Sequence, residues 1–110
     1  MPHIVVEYST NVEPAIRSSK LLPALHQAVQ ATNLFDPQAI KARSIGYADI
    51  VLPEGAVSFV HVTVSILSGR TMDQRSALND AVFGALKSAM PQVDKLSSDI
   101  REMTAETYRK

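Results

Sequence analysis

At 110 residues, with eleven basic and eleven acidic side chains, the chain supports one modest core and has no bulk charge to draw it to nucleic acid or an anionic membrane. The absence of cysteine excludes disulfides, thiolate catalysis and cysteine-held zinc. No apolar run approaches the roughly 20 residues of a membrane helix, and the start lacks the pattern of a signal peptide. The expectation is therefore a cytoplasmic protein.

A first strand is expected over His3–Ser9, where Ile4, Val5 and Val6 favour extended backbone and apolar residues fall on both faces, as in an interior strand. Asn11–Ser19 reads as a connection, with Pro14 inside it and Ser18 and Ser19 as candidate caps of the next helix. Leu21, Leu22, Leu25, Val29 and Thr32 then recur at helical spacing. Pro23 falls in the first turn of that helix, where a missing N–H costs least. Asn33 ends it, and Asp36-Pro37 forbids its continuation. Ala39–Leu52 reads as a second extended segment. Ile40, Ala42 and Ser44 lie on one side, Lys41, Arg43, Ile45 and Tyr47 on the other, and Gly46 suggests a bulge or bend.

Pro53-Glu54-Gly55 reads as a turn joining antiparallel strands. Ala56–Leu67 is the clearest strand, with Val60, Val62, Val64 and Ile66 on one face and Phe59, His61, Thr63 and Ser65 on the other. Ser68-Gly69-Arg70 breaks it, and Thr71-Met72-Asp73-Gln74 opens a helix with a capping box. Leu78, Val82, Ala85, Leu86 and Ala89 form the helix's apolar stripe, and Pro91 closes it. Leu96–Met103 reads as a last strand. Thr104–Lys110 is a polar tail, expected to be disordered or to reach a neighbouring subunit.

The halves of the chain resemble each other: Pro2-His3-Ile4-Val5-Val6 parallels Val60-His61-Val62-Thr63-Val64, and a helix stripe follows each, from Leu21 or Leu78. The expected fold is α+β in two layers. Tandem β-α-β units, about 1–55 and 56–103, share one four-stranded sheet with two helices on one face, and the whole of 1–110 forms one domain. The other sheet face, carrying Phe59, His61 and Thr63, is too apolar for water, which predicts packing against further subunits.

Three features bear chemistry. If Met1 is removed, Pro2 presents a secondary amine at the start of a core strand. Such an amine has a reference pKa near working pH, and burial or nearby cations lower it further. A neutral amine can take a proton from one atom and return it to another. Proline at position 2 equally serves merely to start a chain. Lys41, Arg43 and Arg70 form a second set, able to clamp a carboxylate if they converge; singly, each reads as a solvated surface charge. His3, His26 and His61 lack metal-ligand spacing, and His3 and His61 fit hydrogen-bonded core or interface positions.

Over nearly its whole length the chain resembles the tautomerase superfamily, and within it the 5-carboxymethyl-2-hydroxymuconate isomerase branch. The resemblance rests on Met1-Pro2-His3-Ile4-Val5-Val6-Glu7, on Leu34-Phe35 through Ile40-Lys41-Ala42-Arg43, on Phe59-Val60-His61-Val62-Thr63, and on Ser68-Gly69-Arg70-Thr71-Met72-Asp73-Gln74-Arg75. It implies a homotrimer with sheets inside and helices outside. It also implies a cofactor-free isomerase, with Pro2 as catalytic acid/base and Arg43, Arg70 and Lys41 holding the carboxylates of the substrate. The substrate implied is 5-carboxymethyl-2-hydroxymuconate, in homoprotocatechuate catabolism. Lys41 departs from the pattern, standing where arginine is expected; it keeps the charge and loses the bidentate fork. The alternatives are another activity of the superfamily (a phenylpyruvate-type enol tautomerase, a dehalogenase or a decarboxylase) and a non-catalytic trimeric binding protein.

Overall fold

A computed structural model describes all of residues 1–110. The sheet has the order β2-β1-β3-β4, with β1 His3–Ser9, β2 Lys41–Tyr47, β3 Phe59–Leu67 and β4 Lys95–Met103. β1 runs parallel to β2 and β3 parallel to β4, while β1 and β3 meet antiparallel at the centre. Each parallel pair is joined by a crossover containing a long helix, α2 Leu21–Ala31 or α3 Met72–Ala89. This is the paired β-α-β arrangement that the sequence order predicts, with β1 interior as its two-sided apolar pattern requires.

The core lies between the sheet and the helices. Ile4, Val6 and Tyr8 of β1 and Val60, Val62, Val64 and Ile66 of β3 meet Leu21, Leu25 and Val29 of α2 and Leu78, Val82 and Leu86 of α3, all buried. Alternation in β3 thus translates directly into burial, every second residue being closed off from water. The opposite face has no helix over it. Ile45 and Tyr47 there remain 52% and 38% exposed, and Val51 and Val57 in the loop before β3 are more exposed still. No helix is long and apolar enough to cross a membrane.

Local signals explain most boundaries. The Thr71 hydroxyl accepts the Gln74 N–H at 3.1 Å while the Gln74 side chain accepts the Thr71 N–H at 2.9 Å, completing the capping box of α3. Asn33, at φ 58°, ends α2 in the left-handed conformation that asparagine tolerates. Pro23 lies in the first turn of α2, as expected.

Several expectations need correction. Asn11–Ser19 is not an irregular connection: a 3-10 turn over Thr10–Val12 leads into a short helix, α1 Glu13–Ser18, a third helix beyond the two foreseen. Pro14 is a first-turn residue there, where its fixed φ favours helix. Ser18 and Ser19 do not cap α2; their hydroxyls turn back to the Ala15 and Ile16 carbonyls, and Lys20, at φ 55°, makes the corner. The second extended segment is shorter than Ala39–Leu52, because residues 37–39 form a 3-10 turn capped by Asp36. The third strand starts at Phe59, not Ala56. The Pro53-Glu54-Gly55 turn forms, closed by the Ala56 N–H on the Pro53 carbonyl, but it joins no hairpin because β1 lies between β2 and β3.

The tail is ordered and folds back onto its own chain. A 3-10 turn over Ala105–Thr107 folds it back, and the Tyr108 hydroxyl lies 2.8 Å from His3 Nε2 on the uncovered sheet face.

Gly46 marks no bulge, since its pairing with Tyr8 continues the register without a break. A Cβ there would stand 2.8 Å from Tyr8 Cε1. The Tyr8 ring is buried and its hydroxyl donates to Glu13 at 3.0 Å, so it has little room to yield. Gly46→Ala is expected to destabilise the fold by about 1–3 kcal/mol through overpacking, read as a lower urea midpoint with unchanged slope.

Candidate active site

Strand order alone places the chain's start among other elements. His3 pairs with Lys41 of β2 on one side and Ser65 of β3 on the other. The Lys41 N–H donates to the Pro2 carbonyl at 3.1 Å, so the ladder reaches one residue beyond β1, and Pro2 is buried. The α-amine of Met1, one residue further out, therefore stands at the end of a sheet rather than on a frayed terminus. Its pKa is held below the ordinary α-amino value, first by burial and then by the positive charges of Arg70, Lys110 and Lys41, with Asp36 opposing. Burial and like charge act the same way here, since both disfavour the ammonium form.

Arg70 comes from the loop after β3, where Gly69 takes φ 127°, a conformation that side-chain-bearing residues rarely adopt. Its guanidinium is held in place by donating to the Leu34 carbonyl at 2.8 Å and stacking 4.6 Å above the Phe35 ring. Lys41 reaches the chain's start from β2, its ammonium 3.2 Å from the Met1 sulfur. Arg43, two residues along the same face, meets His3 instead: its Nη1 is 3.2 Å from His3 Nδ1. Of the three cations singled out in the sequence, Lys41 and Arg70 thus act on the amine directly, and Arg43 joins through His3.

His3 is held neutral. Burial lowers its pKa, followed by the charges of Arg43, Lys41 and the terminal amine. His61 lies elsewhere on the same face, with Nδ1 2.6 Å from the Ser97 hydroxyl, and His26 Nε2 lies 3.3 Å from the Ile40 carbonyl oxygen.

The sequence did not reveal three neighbours. Lys110 and Tyr108 reach the site only because the tail folds back, and Asp36 reads in sequence as nothing more than a helix stop. The basic run Arg109-Lys110 was the one available hint of the first. The chain's cavities lie elsewhere, and none is lined by Pro2, Lys41, Arg43 or Arg70. The site is an open edge where a weakly basic amine stands beside fixed cations, the ingredients of a proton carrier next to an anion clamp.

The sequence model of the 5-carboxymethyl-2-hydroxymuconate isomerase family matches residues 2–110. A 5-carboxymethyl-2-hydroxymuconate Delta-isomerase of Escherichia coli is 26% identical over 90 residues, spanning 80% of this chain and 71% of the relative. The crystal structure of a 5-carboxymethyl-2-hydroxymuconate isomerase from Deinococcus radiodurans superposes with a TM-score of 0.86 at 26% identity, covering 99% of this chain and 87% of the other. A fused 4-OT symmetric trimer shares the fold at a TM-score of 0.71 and 22% identity, over 93% of this chain and 85% of its own.

The electrostatics of the terminus are directly measurable. Its amine is expected to titrate below the ordinary α-amino value, and to move back up towards it in Arg70→Gln and in Lys110→Gln. The pH dependence of the amine 15N shift checks this; an amine that titrates alike in all three proteins would remove the cations as its cause.

Proposed function

The chain belongs to the 5-carboxymethyl-2-hydroxymuconate isomerase family, and from that premise we propose that it is a cofactor-independent isomerase whose Pro2 amine, freed by removal of Met1, moves a proton within a carboxylated dienol. The substrate we assign is 5-carboxymethyl-2-hydroxymuconate. The observation that carries the reading is a buried Pro2 at the start of the strand, next to a Met1 amine that burial and the charges of Arg70, Lys110 and Lys41 hold below its ordinary pKa.

Removal of Met1 leaves Pro2 nitrogen as the terminal amine at the same end of the sheet, among the same charges. It also takes away the thioether that the Lys41 ammonium now meets, freeing that cation for substrate. In the proposed reaction the neutral proline nitrogen takes the proton of the enol hydroxyl. The electron pair of that O–H bond forms the carbonyl, the double bonds shift along the chain, and the protonated nitrogen returns the proton to carbon. The products are the ketone and the regenerated amine, with no redox change. Arg70 and Arg43 hold carboxylates, and Lys41 adds a point charge rather than a fork. Because these cations are already in place, they stabilise the dienolate without reorganising when the charge moves.

The same reading includes a homotrimer. Ile45 and Tyr47 leave an apolar part of the sheet face exposed to water, and the amine end has no enclosing walls within one chain. The trimeric form of a protein with the same fold is in keeping with this.

Intact mass is expected to show a chain lacking Met1. Pro2→Ala is expected to lower kcat for 5-carboxymethyl-2-hydroxymuconate by about 10²–10⁴, the usual worth of a positioned acid/base; undiminished turnover would overturn the role of Pro2. Because the neutral amine is the base, kcat/KM should rise with pH through the amine pKa. Burial of Pro2 and the nearby charges of Arg70 and Lys41 are expected to bring this rise to lower pH, as they do for the Met1 amine. Sedimentation is expected to give a trimer that Ile45→Glu breaks apart, since a carboxylate buried at a subunit contact is costly.

A further inference from the structure

The C-terminal tail is brought to the amine end by topology rather than by chance. β4 runs parallel to β3 and ends with Met103 beside Leu67, and the Met103 carbonyl accepts the Ser68 N–H at 3.0 Å. The tail therefore starts next to the loop that carries Arg70. The turn over Ala105–Thr107 is closed by the Thr107 N–H on the Thr104 carbonyl at 3.1 Å, and the Arg109 guanidinium donates to the Glu106 carbonyl at 2.8 Å. So held, the tail crosses from β4 past β3 to β1. There the Tyr108 ring meets His3 edge-on, with centroids 5.9 Å apart and planes at 71°.

The direction of the hydrogen bonds follows from chemistry. Arginine has donors and no acceptor, so His3 Nδ1 must accept from Arg43. A neutral imidazole then carries its proton on Nε2, which donates to the Tyr108 oxygen at 2.8 Å. The phenol's own O–H is thereby left to donate onward, and no other side chain of the protein accepts it. Each donor in such a chain polarises the next, strengthening the last one. We infer that Tyr108 is a substrate-binding residue, the final donor in a chain running from Arg43 through His3 to Tyr108 and on to a carboxylate oxygen of the bound acid. This rests on the carboxylate reading of the site given above. The residues around the chain favour an anion: Arg43, Lys41 and the terminal amine face His3, and Lys110 of the same tail acts on that amine.

The test uses the full-length protein and two ligands. The first is cis,cis-muconate, a dicarboxylate with no enol to isomerise; the second is 5-carboxymethyl-2-hydroxymuconate, followed by its ultraviolet absorbance. Tyr108→Phe keeps the ring against His3 and removes only the hydroxyl. It is expected to weaken muconate binding about tenfold, the order expected for a hydrogen bond to a charged group. KM should rise by a similar factor with kcat unchanged, the signature of lost uniform binding. The His3 15N spectrum should keep the Nε2–H tautomer, since Arg43 still fixes it, and a chain ending at Thr107, which also lacks Lys110, should weaken muconate binding at least as much. Wild-type affinity in Tyr108→Phe, a fall in kcat at constant KM, or no muconate binding by the wild-type protein would each overturn the inference. Pro2→Ala separates it from the isomerase reading: that variant should bind muconate normally yet fail to turn over. If Pro2→Ala turns over normally while Tyr108→Phe weakens muconate, the proton-transfer role falls and the role of Tyr108 stands.

Discussion

The whole structure depends on β1 being hydrogen-bonded along both of its edges. A first strand at a sheet edge would leave its start with one neighbour and free to fray. Here Ile4 is flanked by Ala42 and Val64 and Val6 by Ser44 and Val62, so the strand is held on both sides while its inner face is sealed under α2 and α3. The interior position also determines who the neighbours of the terminus are. The start of β2 supplies Lys41, the loop after β3 supplies Arg70, and the tail after β4 supplies Tyr108 and Lys110. Four distant stretches of sequence converge because parallel and antiparallel pairings alternate across the sheet.

That convergence has an electrostatic cost. Several cations and an amine share one partly dry corner, and like charges there oppose folding. The chain offsets this locally. Arg70 is satisfied by a carbonyl and an aromatic face, Arg43 rests on an uncharged imidazole, and Asp36 supplies an opposing charge. What is left is a depressed amine and an unmet demand for an anion, and one arrangement produces both. In the proposed isomerase these are the two requirements of the reaction, a base that is neutral at working pH and an anchor for an acid. Perturbed groups of this kind concentrate at functional sites, where stability is traded for chemistry.

Some of this was readable residue by residue. The alternation of Phe59–Leu67 became burial without exception, and the Thr71 capping box formed as its spacing requires, because both signals are local and satisfied within a few residues. Signals with two meanings misled. Pro14 can break a helix or start one, and the run from Glu13 starts one. Gly46 can mark a bulge or a close approach, and the packing of the Tyr8 ring, thirty-eight residues earlier in the chain, decides for the approach. The Pro53 turn looked like a hairpin because nothing nearby in sequence says that β1 will insert between the flanking strands.

The candidate site divides along the same line. The residue types were legible: a proline at position 2 ahead of a strand, and cations at 41, 43 and 70. By itself the sequence determined the elements, the interior place of the first strand in the sheet, the paired β-α-β order and the chemistry on offer. Only the tertiary structure decided that Lys41 and Arg70 act on the amine while Arg43 turns to His3, and that the tail returns to bring Tyr108 and Lys110. The physical reason is range. Periodicity and capping depend on neighbours within one or two turns of chain, whereas charge and hydrogen-bond partners at the end of a sheet are set by which strands lie side by side.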